Sequence, residues 1–143
     1  MILIDANLML YAVNRDLPGH VKAKSWFEGA LSGAERVGLP WVVISAFLRI
    51  TSNPRVFEKP LSVERAVSYM DEWLDQPMVT ILVPGRGHWE ILRNLLLAHG
   101  TGGSLTTDAH IAALALEHGC RIYSADNDFK RFPGIIHVNP LAA

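Results

Sequence analysis

Short β-rich runs alternate along this chain with stretches that repeat at helical spacing, and this alternation constrains the fold more than any single motif. Residues 1–4 are apolar and lead straight into Asp5, after which residues 6–13 space their apolar side chains as a helix does. Residues 79–83, 121–124 and 135–138 read as further strands, with helical patterns between them. Strands joined by helices favour parallel pairing, because a parallel pair needs a long crossover. The pattern predicts an α/β fold in which a central, mostly parallel sheet is flanked by helices on both faces. At 143 residues the chain reads as one domain spanning 1–143. A domain of that size buries about 68–70% of its extended-chain surface.

Local signals place the helices. Residues 20–31 carry Trp26, Phe27, Ala30 and Leu31 at i, i+1, i+4 and i+5 and stop near Gly33. Residues 41–50 are apolar on every side, which suits a buried strand or a buried helix; Pro40 at the first turn and the length favour helix. Ser62 suits an N-cap, and Ala66, Tyr69, Met70, Trp73 and Leu74 follow at helical spacing up to Pro77. An amphipathic helix fits 89–98, GTGGS at 100–104 reads as a loop, and Thr107 or Asp108 caps a helix over 109–118.

Composition narrows the function classes. Half the residues are apolar and the net charge is -1, so no global positive field draws in nucleic acid. Any RNA contact must rest on local cations such as Arg49, Arg55, Lys59, Lys130 and Arg131. Cys120 is alone, so no internal disulfide forms, and a reducing cytosol is the expected compartment. Neither a basic leader nor an apolar run of about 20 residues occurs, so neither export nor a membrane span is expected. The histidines lack metal-ligand spacing, Ser45, Ser104 and Ser124 lack GxSxG context, and Gly85-Arg86-Gly87 lacks a third glycine. Trp26, Trp41, Trp73 and Trp89 read as core or interface residues.

The acidic residues carry the chemistry. Asp5 ends the first strand, Asp108 opens a helix after a loop, and Asp126 with Asp128 follows the strand RIYS. Ligands of open α/β sheets bind outside the carboxyl ends of the strands, where Asp5 and Asp126 belong if their strands are parallel neighbours. Carboxylates gathered there repel unless a cation offsets them. Mg²⁺ (or Mn²⁺) suits hard oxygen donors, and such ions activate water and stabilise the leaving oxygen of a phosphodiester. Each residue also has a plainer use: Asp5 and Asp108 as helix caps, Asp128 as a turn residue.

Taken in order, these strings resemble a known family. ILIDANLMLYAV is similar to the opening of PIN-domain ribonucleases, and LTTDAHIAALALEHGCRIYSADNDF to their C-terminal half; FLRITSNPRVF resembles a subset of the VapC toxins of toxin–antitoxin pairs. The resemblance implies a PIN-like fold and a metal-dependent endoribonuclease, with Asp5, Asp108 and Asp126 as catalytic and metal-binding residues and Asp128 as a fourth. It further implies an RNA substrate, a cognate antitoxin and a homodimer, and the apolar stripe from Ala66 to Leu74 is one candidate partner surface.

One departure stands out. The family supplies a Glu from the helix near residues 41–51, where this chain has Ala46 within ISAFLRI, with no acid between Glu35 and Glu58. Water, Ser45, Asp128 or a residue elsewhere in the chain must then complete the site. Two rival readings follow: a weak or inactive PIN-like module that binds RNA or protein, and a phosphotransfer domain of the haloacid-dehalogenase or receiver type. The latter needs a DxD motif or a distal Lys, and the chain has Asp5-Ala6-Asn7 instead.

Overall fold

A computed structural model describes residues 1–99, 103 and 105–142. The expected GTGGS loop lies, apart from Gly103, outside the described residues. The chain runs β1 (Ile2–Ile4), α1 (Ala6–Val13), α2 (His20–Ser32), β2 (Val37–Pro40), α3 (Trp41–Thr51), α4 (Val63–Leu74) and β3 (Val79–Leu82). It continues through α5 (His88–His99), α6 (Leu105–His118), β4 (Arg121–Tyr123), a 3-10 turn (Asn127–Arg131) and β5 (His137–Val138). Among the described residues no helix is long and apolar enough to cross a membrane.

The sheet has the order β3-β2-β1-β4-β5, and every pairing in it is parallel. From β1 the chain steps through β2 to β3 in one direction, then returns across the sheet to β4. Right-handed crossovers therefore put α1 to α4 on one face and α5 and α6 on the other. Contacts agree: α1 packs on α2 and α3, α3 on α4, and α5 on α6. The order reverses between β1 and β4, so their carboxyl ends form the switch-point crevice.

β1 and β2 are wholly buried because both faces are covered, whereas β3, β4 and β5 are only part-buried. Leu3, Ile4, Val37, Leu39 and Ile122 are fully buried. On one face Trp73 of α4 meets Phe27 of α2 edge-on at 4.8 Å and Phe47 of α3 at 4.9 Å. Such edge contacts add about 0.5–1.5 kcal/mol beyond burial. The Ala66–Leu74 stripe is thus mostly core: Ala66, Met70 and Trp73 are buried, with Tyr69 and Leu74 half-buried.

Two elements differ from expectation. β2 was not expected, because VGLP contains Gly38 and Pro40 and has neither alternation nor length. Gly38 is closely packed, since a Cβ there would come within 3.2 Å of the Leu82 side chain, which would have to give way. Pro40 ends the strand and leads directly into α3, where its missing N–H costs nothing. The helix expected over 109–118 begins earlier, at Leu105, whose side chain is buried. Asp108 is consequently a first-turn residue and not the cap, while Ser62 caps α4 as expected by accepting from the Arg65 N–H.

Candidate active site

The strand-to-helix turn at Asp5 shapes the first carboxylate. Its N–H donates to the Tyr123 carbonyl of β4 at 3.0 Å, and its Oδ1 accepts from the Ala6 N–H at 2.8 Å, capping α1. The other oxygen, Oδ2, accepts from the Ser124 hydroxyl at 2.8 Å. The capping and site readings of Asp5 are therefore compatible, with one oxygen in each.

Ser124 is fully buried at the end of β4 and gathers the neighbourhood. Its Oγ accepts from Asn7 Nδ2 at 3.1 Å and from the Asp126 N–H at 3.0 Å while donating to Asp5. Asn7 Oδ1 in turn accepts from the Ala125 N–H at 3.2 Å. The loops after β1 and β4 are thereby clamped together by uncharged groups. Sequence patterns single out neither residue: Ser124 lacks the context of a nucleophile, and Asn7 sits in no motif of its own. The available signal was their place, two residues from Asp126 and from Asp5 respectively.

Asp126 caps the 3-10 turn, its Oδ1 accepting from the Asp128 N–H at 2.9 Å. Asp108, Asp126 and Asp128 each offer a carboxylate oxygen, and these oxygens all lie within 4.8 Å of one another. Asp5 is outside that triplet but close enough for its charge to act on Asp108. Ser45 is exposed on α3, and no hydrogen bond ties it to the carboxylates among the described residues; Ala46 beside it is half-buried.

Electrostatics mark the cluster as strained by like charge. Burial, then the charges of Asp126, Asp5 and Asp128, push the Asp108 carboxyl up to about 6, with Arg131 pulling the other way. Burial also raises Asp5, opposed by the Ser124 hydroxyl and the Ala6 amide and reinforced by Asp126. Arg131 is the cation at hand, donating to Asp128 Oδ1 at 3.3 Å and to the Asp128 carbonyl at 3.2 Å. Arg49, Arg55, Lys59 and Lys130 are exposed.

The donor set fits a hard divalent cation. Carboxylate oxygens suit Mg²⁺ or Mn²⁺, the exposed Asp128 and half-buried Asp108 and Asp126 leave access for the waters these ions retain, and a positive charge relieves the carboxylate repulsion that, after burial, raises Asp108. Among the described residues no His or Cys joins the group, which disfavours zinc.

A separate pocket of about 480 Å³ lies between α1, α2 and α4, lined by Val13, Phe27, Leu31, Tyr69 and Trp73 with Arg15 and Arg65 among its cations. Its α1 residues are at the end of that helix remote from Asp5, about 12 Å away at 1.5 Å per residue.

Comparison with known proteins agrees with this construction. The PIN domain family model matches residues 2–135. Ribonuclease VapC37 of Mycobacterium tuberculosis is 44% identical over 142 residues, covering 99% of each chain. Ribonuclease VapC33 of the same species is 40% identical over 141 residues, again covering 99% of each. Among solved structures, M. tuberculosis VapC20, described as a sarcin-ricin loop cleaving toxin, superposes with a TM-score of 0.72 at 20% identity, covering 98% of this chain and all of that one. VapBC2 from Rickettsia felis bound to promoter DNA gives 0.68 at 19%, covering 97% and 98%. On the sequence strings, the parallel switch-point fold and these full-length matches, the chain belongs to the PIN-domain ribonucleases of the VapC toxin family.

Proposed function

We propose that this chain is a Mg²⁺-dependent endoribonuclease, the toxin of a toxin–antitoxin pair, with Asp5, Asp108 and Asp126 as its metal-binding and catalytic carboxylates. The observation that carries the reading is the convergence of Asp108, Asp126 and Asp128 within 4.8 Å, beside the switch point that Asp5 closes. Asp128 takes the place left by Ala46, in preference to Ser45. Bound there, Mg²⁺ or Mn²⁺ supplies water activation and charge neutralisation at a phosphodiester. The chain's own residues do the rest: Ser124 and Asn7 hold the carboxylates in register, and Arg131 and Lys130 flank them to grip phosphate by charge-assisted hydrogen bonds. Single-stranded or looped RNA is the substrate class, because its bases are exposed for reading.

An antitoxin and a second copy of the chain complete the proposal. Solved relatives include toxin–antitoxin complexes from R. felis and Salmonella typhimurium. An antitoxin segment seated in the 480 Å³ pocket needs about four extended residues to reach the carboxylates. For the homodimer, Trp89 and Leu97 of α5 and Val83 ahead of it are 65%, 73% and 51% exposed, an apolar surface of the kind that partners cover.

The test is cleavage of a mixed cellular RNA pool by purified protein with Mg²⁺, with EDTA, and with Asp5→Asn or Asp126→Asn. Discrete fragments that vanish in the EDTA and variant arms are expected. Folded wild type that cuts nothing under Mg²⁺ or Mn²⁺ would overturn the nuclease reading in favour of a binding module.

A further inference from the structure

Ser124 holds the carboxylates, and β5 holds Ser124. In the β4–β5 ladder the Ile122 N–H donates to the Ile136 carbonyl at 2.9 Å and the Ser124 N–H to the Val138 carbonyl at 3.0 Å. Parallel ladders alternate regularly between the strands, so the next bond would run from the N–H of residue 140 to the Ser124 carbonyl. Residue 140 is proline and has no N–H. A fully buried residue would be left with an orphan carbonyl at the point where the site is assembled.

His137 fills that gap. Its Nε2 lies 2.9 Å from the Ser124 carbonyl, and since a carbonyl only accepts, Nε2 carries the proton. The ring sits 6.2 Å from Phe129, the buried anchor of the 3-10 turn that follows Asp126. The remaining ring nitrogen, Nδ1, is shut off from solvent without a hydrogen-bond partner. An unsatisfied buried nitrogen is unfavourable, so a residue chosen for packing alone would be apolar here.

We propose that His137 is a positioning residue for the carboxylate site. Its side chain ends the β4–β5 ladder in place of the amide that Pro140 lacks, and so fixes Ser124, with its hydroxyl set between Asp5 and the Asp126 amide. The metal-affinity readout below rests on the metal reading given above; the exchange readout does not.

The experiment compares wild type with His137→Ala, His137→Gln, Pro140→Ala and the His137→Ala/Pro140→Ala double variant. Amide exchange of Asp126 is followed in the metal-free protein and Mn²⁺ affinity by calorimetry, with thermal unfolding to verify folding. His137→Ala should speed Asp126 exchange and weaken Mn²⁺ binding about tenfold, as losses behind metal ligands do. His137→Gln, which keeps a donor, and the double variant, which supplies an N–H at residue 140, should each recover both; Pro140→Ala alone should change neither. Unchanged exchange in His137→Ala overturns the proposal. So does a defect that neither Gln nor the second substitution repairs, since ring packing on Phe129 would then be the cause. If His137→Ala does not fold, the Gln and double variants still decide: wild-type exchange in both supports the proposal, and rapid exchange in both overturns it. Wild type that takes up no Mn²⁺ sinks the metal reading, while the exchange series still rules on His137.

Discussion

Ser124 carries no charge and never meets solvent, yet the Asp5 carboxylate, the Asn7 amide and the Asp126 N–H all converge on its hydroxyl. Ser124→Ala strands those partners and should destabilise the fold by about 1–3 kcal/mol, measured by denaturant unfolding. Asp108 sets a pH dependence. Its carboxyl titrates at about 6 when folded and at the ordinary 3.8 when unfolded, so the folded state holds the proton more often between those values. This group's contribution to stability is therefore present below its unfolded value and lost as the pH rises through about 6. The metal-free protein should lose thermal stability from Asp108 between about pH 4 and pH 6, and Asp108→Asn should flatten that slope. At this scale the carboxylates were legible because strand ends and helix starts announce them, whereas Ser124 and His137 were not. Their importance is a matter of which backbone and side-chain groups the fold brings beside them.

Elements were legible where a local rule governs them. Ser62 was readable as a cap because its hydroxyl serves an amide three residues away; Ser62→Ala should lower stability by about 0.5–2 kcal/mol in thermal or denaturant unfolding. α3 could be separated from a strand only by Pro40 and by length, and its inner side is decided by Phe47 against Trp73. Phe47→Ala should cost about 3–5 kcal/mol by the same measurements, because it opens a cavity where three helices meet. β2 was hidden because its burial comes from β1 and β3, and its glycine answers to the Leu82 side chain across the sheet. The start of α6 was misplaced because Leu105 extends the helix by being buried, which local capping rules do not register.

For the whole molecule, the exposed apolar surface around α5 bears on assembly. Sedimentation at micromolar concentration should give a mass near twice the 15.8 kDa chain, and Trp89→Lys should return the monomer with Mn²⁺ affinity unchanged. A chain that sediments as a monomer would remove the dimer from the proposal. Alternation of strand and helix determined by itself that the sheet would be parallel and covered on both faces, because crossover length and burial follow from the order of segments along the chain. The strings around Asp5, Asp108 and Asp126 likewise pointed to the family. Only the tertiary structure decided that β1 and β4 are neighbours at the switch point, that Asp128 joins Asp108 and Asp126, and that Ser124, backed by His137, ties the two loops together. The β1–β4 pairing and the Ser124 contacts with Asp5 and Asn7 join residues more than a hundred positions apart, the carboxylate cluster brings together two separate elements, and His137 answers to an amide missing just beyond β5, so no local spacing encodes them.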